Sequence, residues 1–114
     1  MEQRSDTRHP VALHAVVACP RIGLFRGSVE NLSKSGLYVR TPNVSMCLNV
    51  PVTITLQADA NDPDSCCNAQ GIVVHQNAKG FGVRFLELDS DCRHLVQDIT
   101  SATPWPDIPG AMAV

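Results

Sequence analysis

Residues 49–58 read Asn-Val-Pro-Val-Thr-Ile-Thr-Leu-Gln-Ala, and their alternation decides the fold class. Val50, Val52, Ile54 and Leu56 take every second position, against Pro51, Thr53, Thr55 and Gln57. A period of two sets one series on the buried face of a strand and the other on its outer face. Upstream of this stretch, Val11–Cys19, Leu24–Ser33 and Leu37–Arg40 are apolar or β-branched runs. They are separated by Pro20-Arg21 with Gly23, and by Lys34-Ser35-Gly36, which supply turn chemistry. Downstream, a loop over Asp59–Ser65 leads to strands expected at Cys67–His75 and Gly80–Leu86, joined by Gln76-Asn77-Ala78-Lys79. Six short strands divided by turn signals predict a β-barrel or sandwich. One helix is expected over about 89–102: Asp89, Ser90 or Asp91 can cap it, and Cys92, Leu95, Val96 and Ile99 recur at helical spacing. That stripe should plug one end of the barrel. The chain is thus read as all-β with one C-terminal helix.

At 114 residues the chain holds one domain, large enough for a core that needs neither disulfides nor metal. Residues 1–10 read as a polar arm, 11–102 as the barrel with its helix, and 103–114 as a Pro-rich irregular tail. The net charge of −2 and the 4% aromatic content argue against a DNA- or RNA-binding barrel, which needs a basic stripe and stacking rings. No apolar run approaches the ~20 residues of a membrane span, and Met1-Glu2-Gln3-Arg4 does not open a signal peptide. Neither membrane insertion nor export is expected, so the reading is cytoplasmic. Five cysteines, an odd count without C-x-x-C spacing, suggest reduced thiols rather than a disulfide framework or a zinc site. Among the basic residues seven are Arg and two, Lys34 and Lys79, are Lys, which favours forked contacts to phosphates and guanine edges.

Two polar clusters carry the functional reading. Arg4-Ser-Asp-Thr-Arg8 puts two guanidinium groups on the arm, roughly 13 Å apart if extended and about half that if curled. Such an arm can bring both onto one compact anion. Asn31-Leu-Ser-Lys-Ser-Gly36 runs from the end of the second strand into the next turn. With Leu32 inward, alternation sets Asn31 and Ser33 side by side on the outer face. Gly36 can take a positive φ for the turn, and it lacks a Cβ that would block a flat ligand. The four histidines form no evident pairing of nucleophile with base, so no catalytic residue and no enzymatic activity is expected.

In that order, R-x-x-x-R (4–8) and N-x-S-x-x-G (31–36) resemble the signature of the PilZ domain family. By average residue usage a chance match arises in about one chain in a thousand. Gly80-Phe-Gly-Val-Arg-Phe85 resembles the last barrel strand of the family, and the likeness covers roughly residues 3–102. It implies a six-stranded antiparallel barrel whose N-terminal arm folds over a ligand, cyclic-di-GMP, on the outer surface. Arg4 and Arg8 would grip phosphates and guanines, Asn31 would hydrogen-bond a guanine, and Ser33 and Gly36 would line the floor. His75 is a peripheral candidate, as is Gln3, which stands where many relatives carry a further arginine and bears on whether one or two nucleotides are held. No cofactor is implied beyond that ligand, and output would pass through an unidentified downstream protein. The rival reading is a PilZ-like protein–protein adaptor of a pilus or motility assembly that binds no nucleotide.

Overall fold

A computed structural model describes residues 7–42, 44–58 and 65–101. Gln3, Arg4, Asp6, most of the 59–65 loop and the 103–114 tail lie outside the described residues. Within them, six strands precede one helix: β1 (His9–Cys19), β2 (Gly23–Leu32), β3 (Gly36–Arg40), β4 (Pro51–Gln57), β5 (Cys66–Gln76), β6 (Gly80–Leu88) and α1 (Ser90–Ser101). All neighbouring pairs are antiparallel, and the sheet closes on itself in the order β1-β2-β3-β6-β5-β4. The expected barrel is therefore observed, with each strand end within about two residues of its sequence reading.

Alternation builds the core. Val52, Ile54 and Leu56 are buried while Pro51 and Thr53 are exposed. They meet Leu13, Ala15 and Val17 of β1, Ala69 and Val73 of β5, and Leu37, Val39, Phe81 and Val83 of the β3–β6 pair. Each large aliphatic side chain so buried contributes roughly 1.5–3 kcal/mol. Phe25 lies edge-on to Phe81, ring centroids 6.1 Å apart, which carries the core toward the β1–β2 hairpin. That hairpin turns at Gly23, whose φ of 100° suits glycine alone.

Of the three candidate caps, Asp89 serves. Its Oδ1 accepts from Cys92 N (2.7 Å), and its Oδ2 accepts from Asn68 N (2.9 Å), tying the helix start to β5. The helix buries Cys92 and Val96 and touches β2, β5 and β6. Since β2 and β5 are not neighbours in the barrel, a helix touching both lies across its opening. Among the described residues no helix is long and apolar enough to cross a membrane.

The thiols divide by exposure. Cys47 is exposed and Cys66 half-buried, whereas Cys19, Cys67 and Cys92 are buried. Burial also pushes the Cys92 thiol far above its usual value, with a hydrogen bond to Cys67 adding to it. Alkylation of the native chain is expected to modify Cys47, then Cys66, and to reach the other three only on unfolding, because the thiolate is the nucleophile. Mass spectrometry after timed exposure to iodoacetamide checks this. Five adducts on the folded chain would contradict the burial pattern.

Candidate functional site

The arm and the floor meet at Arg8. Its Nη1 donates to Asn31 Oδ1 at 2.6 Å, joining residues 23 positions apart at the surface. The register at this point comes from irregular pairing. Val29 faces the core opposite Val39, yet the next paired residue is Asn31, opposite Tyr38. Glu30 is the extra residue of a bulge, and the bulge resets the parity of β2. Without it Asn31 would follow Val29 inward. With it, Leu32 is buried and Asn31 comes to the outer face beside the arm.

Ser33 requires a correction. It is not presented outward with Asn31 but is wholly buried, at 0% exposure. β2 ends at Leu32, so alternation no longer governs the next residue. Ser33 instead folds inward and organises the turn: its Oγ accepts from Ser35 N (3.3 Å) and Gly36 N (3.2 Å), and Ser33 N donates to Gly36 O (2.8 Å). Phe85 N donates to Ser35 O (2.7 Å), which fastens the same turn to β6. Ser33 thus shapes the floor from beneath.

Gly36 requires a second correction. Among the described residues the positive-φ positions are Asn49 and Gly23, so Gly36 is not glycine for a left-handed turn. It opens β3 opposite Arg84, where an added Cβ would overlap the carbonyl oxygen of Val83. Close approach of two strands, rather than turn geometry, demands the missing side chain.

That register brings in a residue the sequence reading passed over. Arg84, exposed on β6, lies directly across from Gly36, so a further guanidinium borders the floor. Its outward place in the alternation of β6 was the available signal, but only strand pairing shows what it stands beside. His75 occupies the far end of a rung that runs Asn31, Tyr38, Gly82, His75 across β2, β3, β6 and β5. Three interstrand steps separate His75 from Asn31, roughly 14 Å. Between them, Tyr38 donates from its hydroxyl to Asn77 Oδ1 (2.8 Å). The exposed pair Arg40–Glu30, 3.2 Å apart, adds little because water and salt screen it.

An open groove of about 440 Å³ lies elsewhere, bordered by Cys19, Leu24, Val52, Gln70 and Leu86. None of Arg8, Asn31, Ser33 or Gly36 lines it. The candidate residues are gathered instead by the contact of Arg8 with Asn31 at the surface and by the turn at Ser33 and Gly36.

A closed six-stranded barrel, capped by a helix and with Arg8 set against Asn31 on its outer face, defines a small all-β domain. Its family follows from the sequence as a whole: the PilZ domain matches residues 2–102, and the chain belongs to that family. Three solved structures share the fold. The Bacillus subtilis Inhibitor of motility (MotI/DgrA) superposes with a TM-score of 0.67 at 14% identity, over 87% of this chain and 50% of that one. The chain thus spans half the length of that protein. The PilZ domain of YcgR from Escherichia coli, solved with c-di-GMP, gives 0.67 at 11% identity, covering 88% of this chain and 90% of its own. The PilZ domain of CeSA from a cellulose-synthesizing bacterium gives 0.60 at 16% identity, covering 82% and 94%. A search of curated proteins finds no significant match.

Proposed function

We propose that this domain is a receptor for cyclic-di-GMP that reports the level of the nucleotide to a partner protein, and that it performs no catalysis. The observation that carries the reading is the contact between Arg8 and Asn31, which places the second arginine of the arm directly on the outer-face asparagine. Family membership and the c-di-GMP-bound YcgR domain support the same ligand.

The chemistry fits. Cyclic-di-GMP offers two phosphates and two guanines, and an arginine fork suits both phosphate oxygens and the O6/N7 edge of guanine. Asn31 carries an acceptor and two donors, so it meets a guanine edge without charge. Arg4 joins Arg8 from the same arm, Arg84 adds positive charge beside Gly36, and Ser33 holds the turn in shape. Bound nucleotide then acts as a strap between arm and barrel. Contacts present in one state alone shift the arm toward the ordered form, and the partner reads that form.

Calorimetric titration of the chain with cyclic-di-GMP, at fixed ionic strength, tests the proposal. Saturable binding is expected, with GMP at equal concentration giving none. Absence of saturable heat with the dinucleotide would leave the protein–protein adaptor as the surviving reading. Capture of single-stranded DNA instead would place the domain among nucleic-acid-binding barrels.

A further inference from the structure

Cys67, Cys92 and Asp89 gather at the junction between β5 and α1. One ligand atom from each lies within 4.8 Å of the other two. The thiols are 4% and 0% exposed, while the carboxylate sits at the surface. The two sulfurs share a hydrogen bond with each other. Spacing along the chain conceals this group, because 25 residues separate the cysteines. The fold unites them: Cys67 faces inward near the start of β5, Cys92 occupies the first turn of α1, and Asp89 caps that turn.

We propose that Cys67, Cys92 and Asp89 form a binding site for a zinc-class divalent cation that fastens α1 to the barrel. Two sulfurs and one carboxylate oxygen are a donor set for a borderline-soft ion, whereas calcium and magnesium take oxygen alone. A tetrahedral ion with metal–sulfur bonds of about 2.3 Å holds its ligands roughly 3.5–3.8 Å apart. Closing the present triangle therefore requires side-chain movements of about 1 Å. Each oxygen of Asp89 accepts one backbone N–H, from Cys92 and from Asn68, and keeps a lone pair for the ion. The exposed side of Asp89 admits water as the fourth ligand.

Binding exchanges protons for the metal: one divalent ion enters, both thiols become thiolates, and two protons leave to solvent. The cation thereby neutralises charge that this buried position otherwise forbids, and the partial positive charge of the helix start adds to the effect. A disulfide between the same sulfurs is the weaker alternative, since it needs an oxidant and gives Asp89 no part. The site stands independently of the nucleotide reading.

Cobalt(II) serves as the probe. Titrated into the reduced 114-residue chain, it should give tetrahedral visible bands and a thiolate charge-transfer band that saturate at one ion per chain. Zinc should then bleach both and raise the melting temperature. Cys67→Ser and Cys92→Ser should each weaken cobalt binding by more than the ten- to ~100-fold typical of changes around a ligand shell. Cys47→Ser should leave it unchanged. Asp89→Asn keeps the cap on Cys92 N but gives up the acceptor for Asn68 N; it should weaken cobalt binding while the circular dichroism stays native, and its metal-free melting temperature reads the lost contact separately. A chain that shows no thiolate band at stoichiometric cobalt overturns the proposal. So does a band that survives in either cysteine variant, or a two-dalton mass loss showing a disulfide in place of the metal.

Discussion

Replacing Arg8 by alanine is expected to lower the affinity for cyclic-di-GMP by about ten- to a hundredfold. The loss corresponds to one charge-assisted contact, about 1.5–3 kcal/mol, at roughly 1.4 kcal/mol per decade. Two comparisons give the result its meaning. Arg8→Lys keeps the charge but not the planar fork, so an intermediate loss separates geometry from attraction. Arg40→Ala removes an exposed arginine whose partner is Glu30 on the neighbouring strand, and it should bind as wild type. Equal affinity of wild type and Arg8→Ala would remove Arg8 from the site. An equal loss for Arg40→Ala would show that the titration senses overall charge. Calorimetry at two salt concentrations reads all three chains.

Replacing Gly36 by alanine is expected to act on stability before it acts on any ligand. The added methyl meets the carbonyl oxygen of Val83, and its nearest neighbours are all backbone atoms of β6, so no flexible side chain can yield to it. β3 and β6 must separate there, and the turn held by Ser33 and Phe85 N moves with them. The cost is placed near the upper end for an overpacked site, about 3 kcal/mol. For a domain of this size that lowers the melting temperature by roughly 12–24 °C. Gly82→Ala is the internal control. An added Cβ there finds His75 Cβ at 3.4 Å, an ordinary contact, so its melt should stay close to wild type. Equal melting temperatures for Gly36→Ala and the wild type would contradict the close approach. Weak nucleotide binding by Gly36→Ala therefore says nothing about a contact with ligand until its folding has been measured.

The strands were legible because their physics is local. Val52, Ile54 and Leu56 announce their face by spacing alone, and Asp89 and Gly23 announce a cap and a turn by side-chain chemistry. Within the candidate site, Asn31 was placed on the outer face for an incomplete reason. Simple alternation from Leu32 gives the right answer there, but only the bulge at Glu30 makes it compatible with Val29 facing the core. Ser33 and Gly36 were misread in their conformation because both obey neighbours distant in sequence. The end of β2 frees Ser33 from the pleat, and the approach of β6 fixes Gly36. Arg84 and the meeting of Cys67 with Cys92 were hidden for the same reason: strand pairing and the docking of a helix, not residue order, make them neighbours. Arg4 and Gln3 stand outside the described residues.

The closure of the sheet has a consequence for how the chain reaches its native state. β1 finds its second partner in β4, and β3 finds its second in β6, so the circle is completed by pairings across long stretches of sequence. Such loops must be closed before their contacts repay the lost freedom, which slows folding relative to a helical protein of equal size. During synthesis, β3 and β5 both lack a neighbour until residues 80–88 have left the ribosome. Up to that moment the nascent chain carries two open sheet edges, the form most prone to pair with another copy. Arrival of β6 removes both at once.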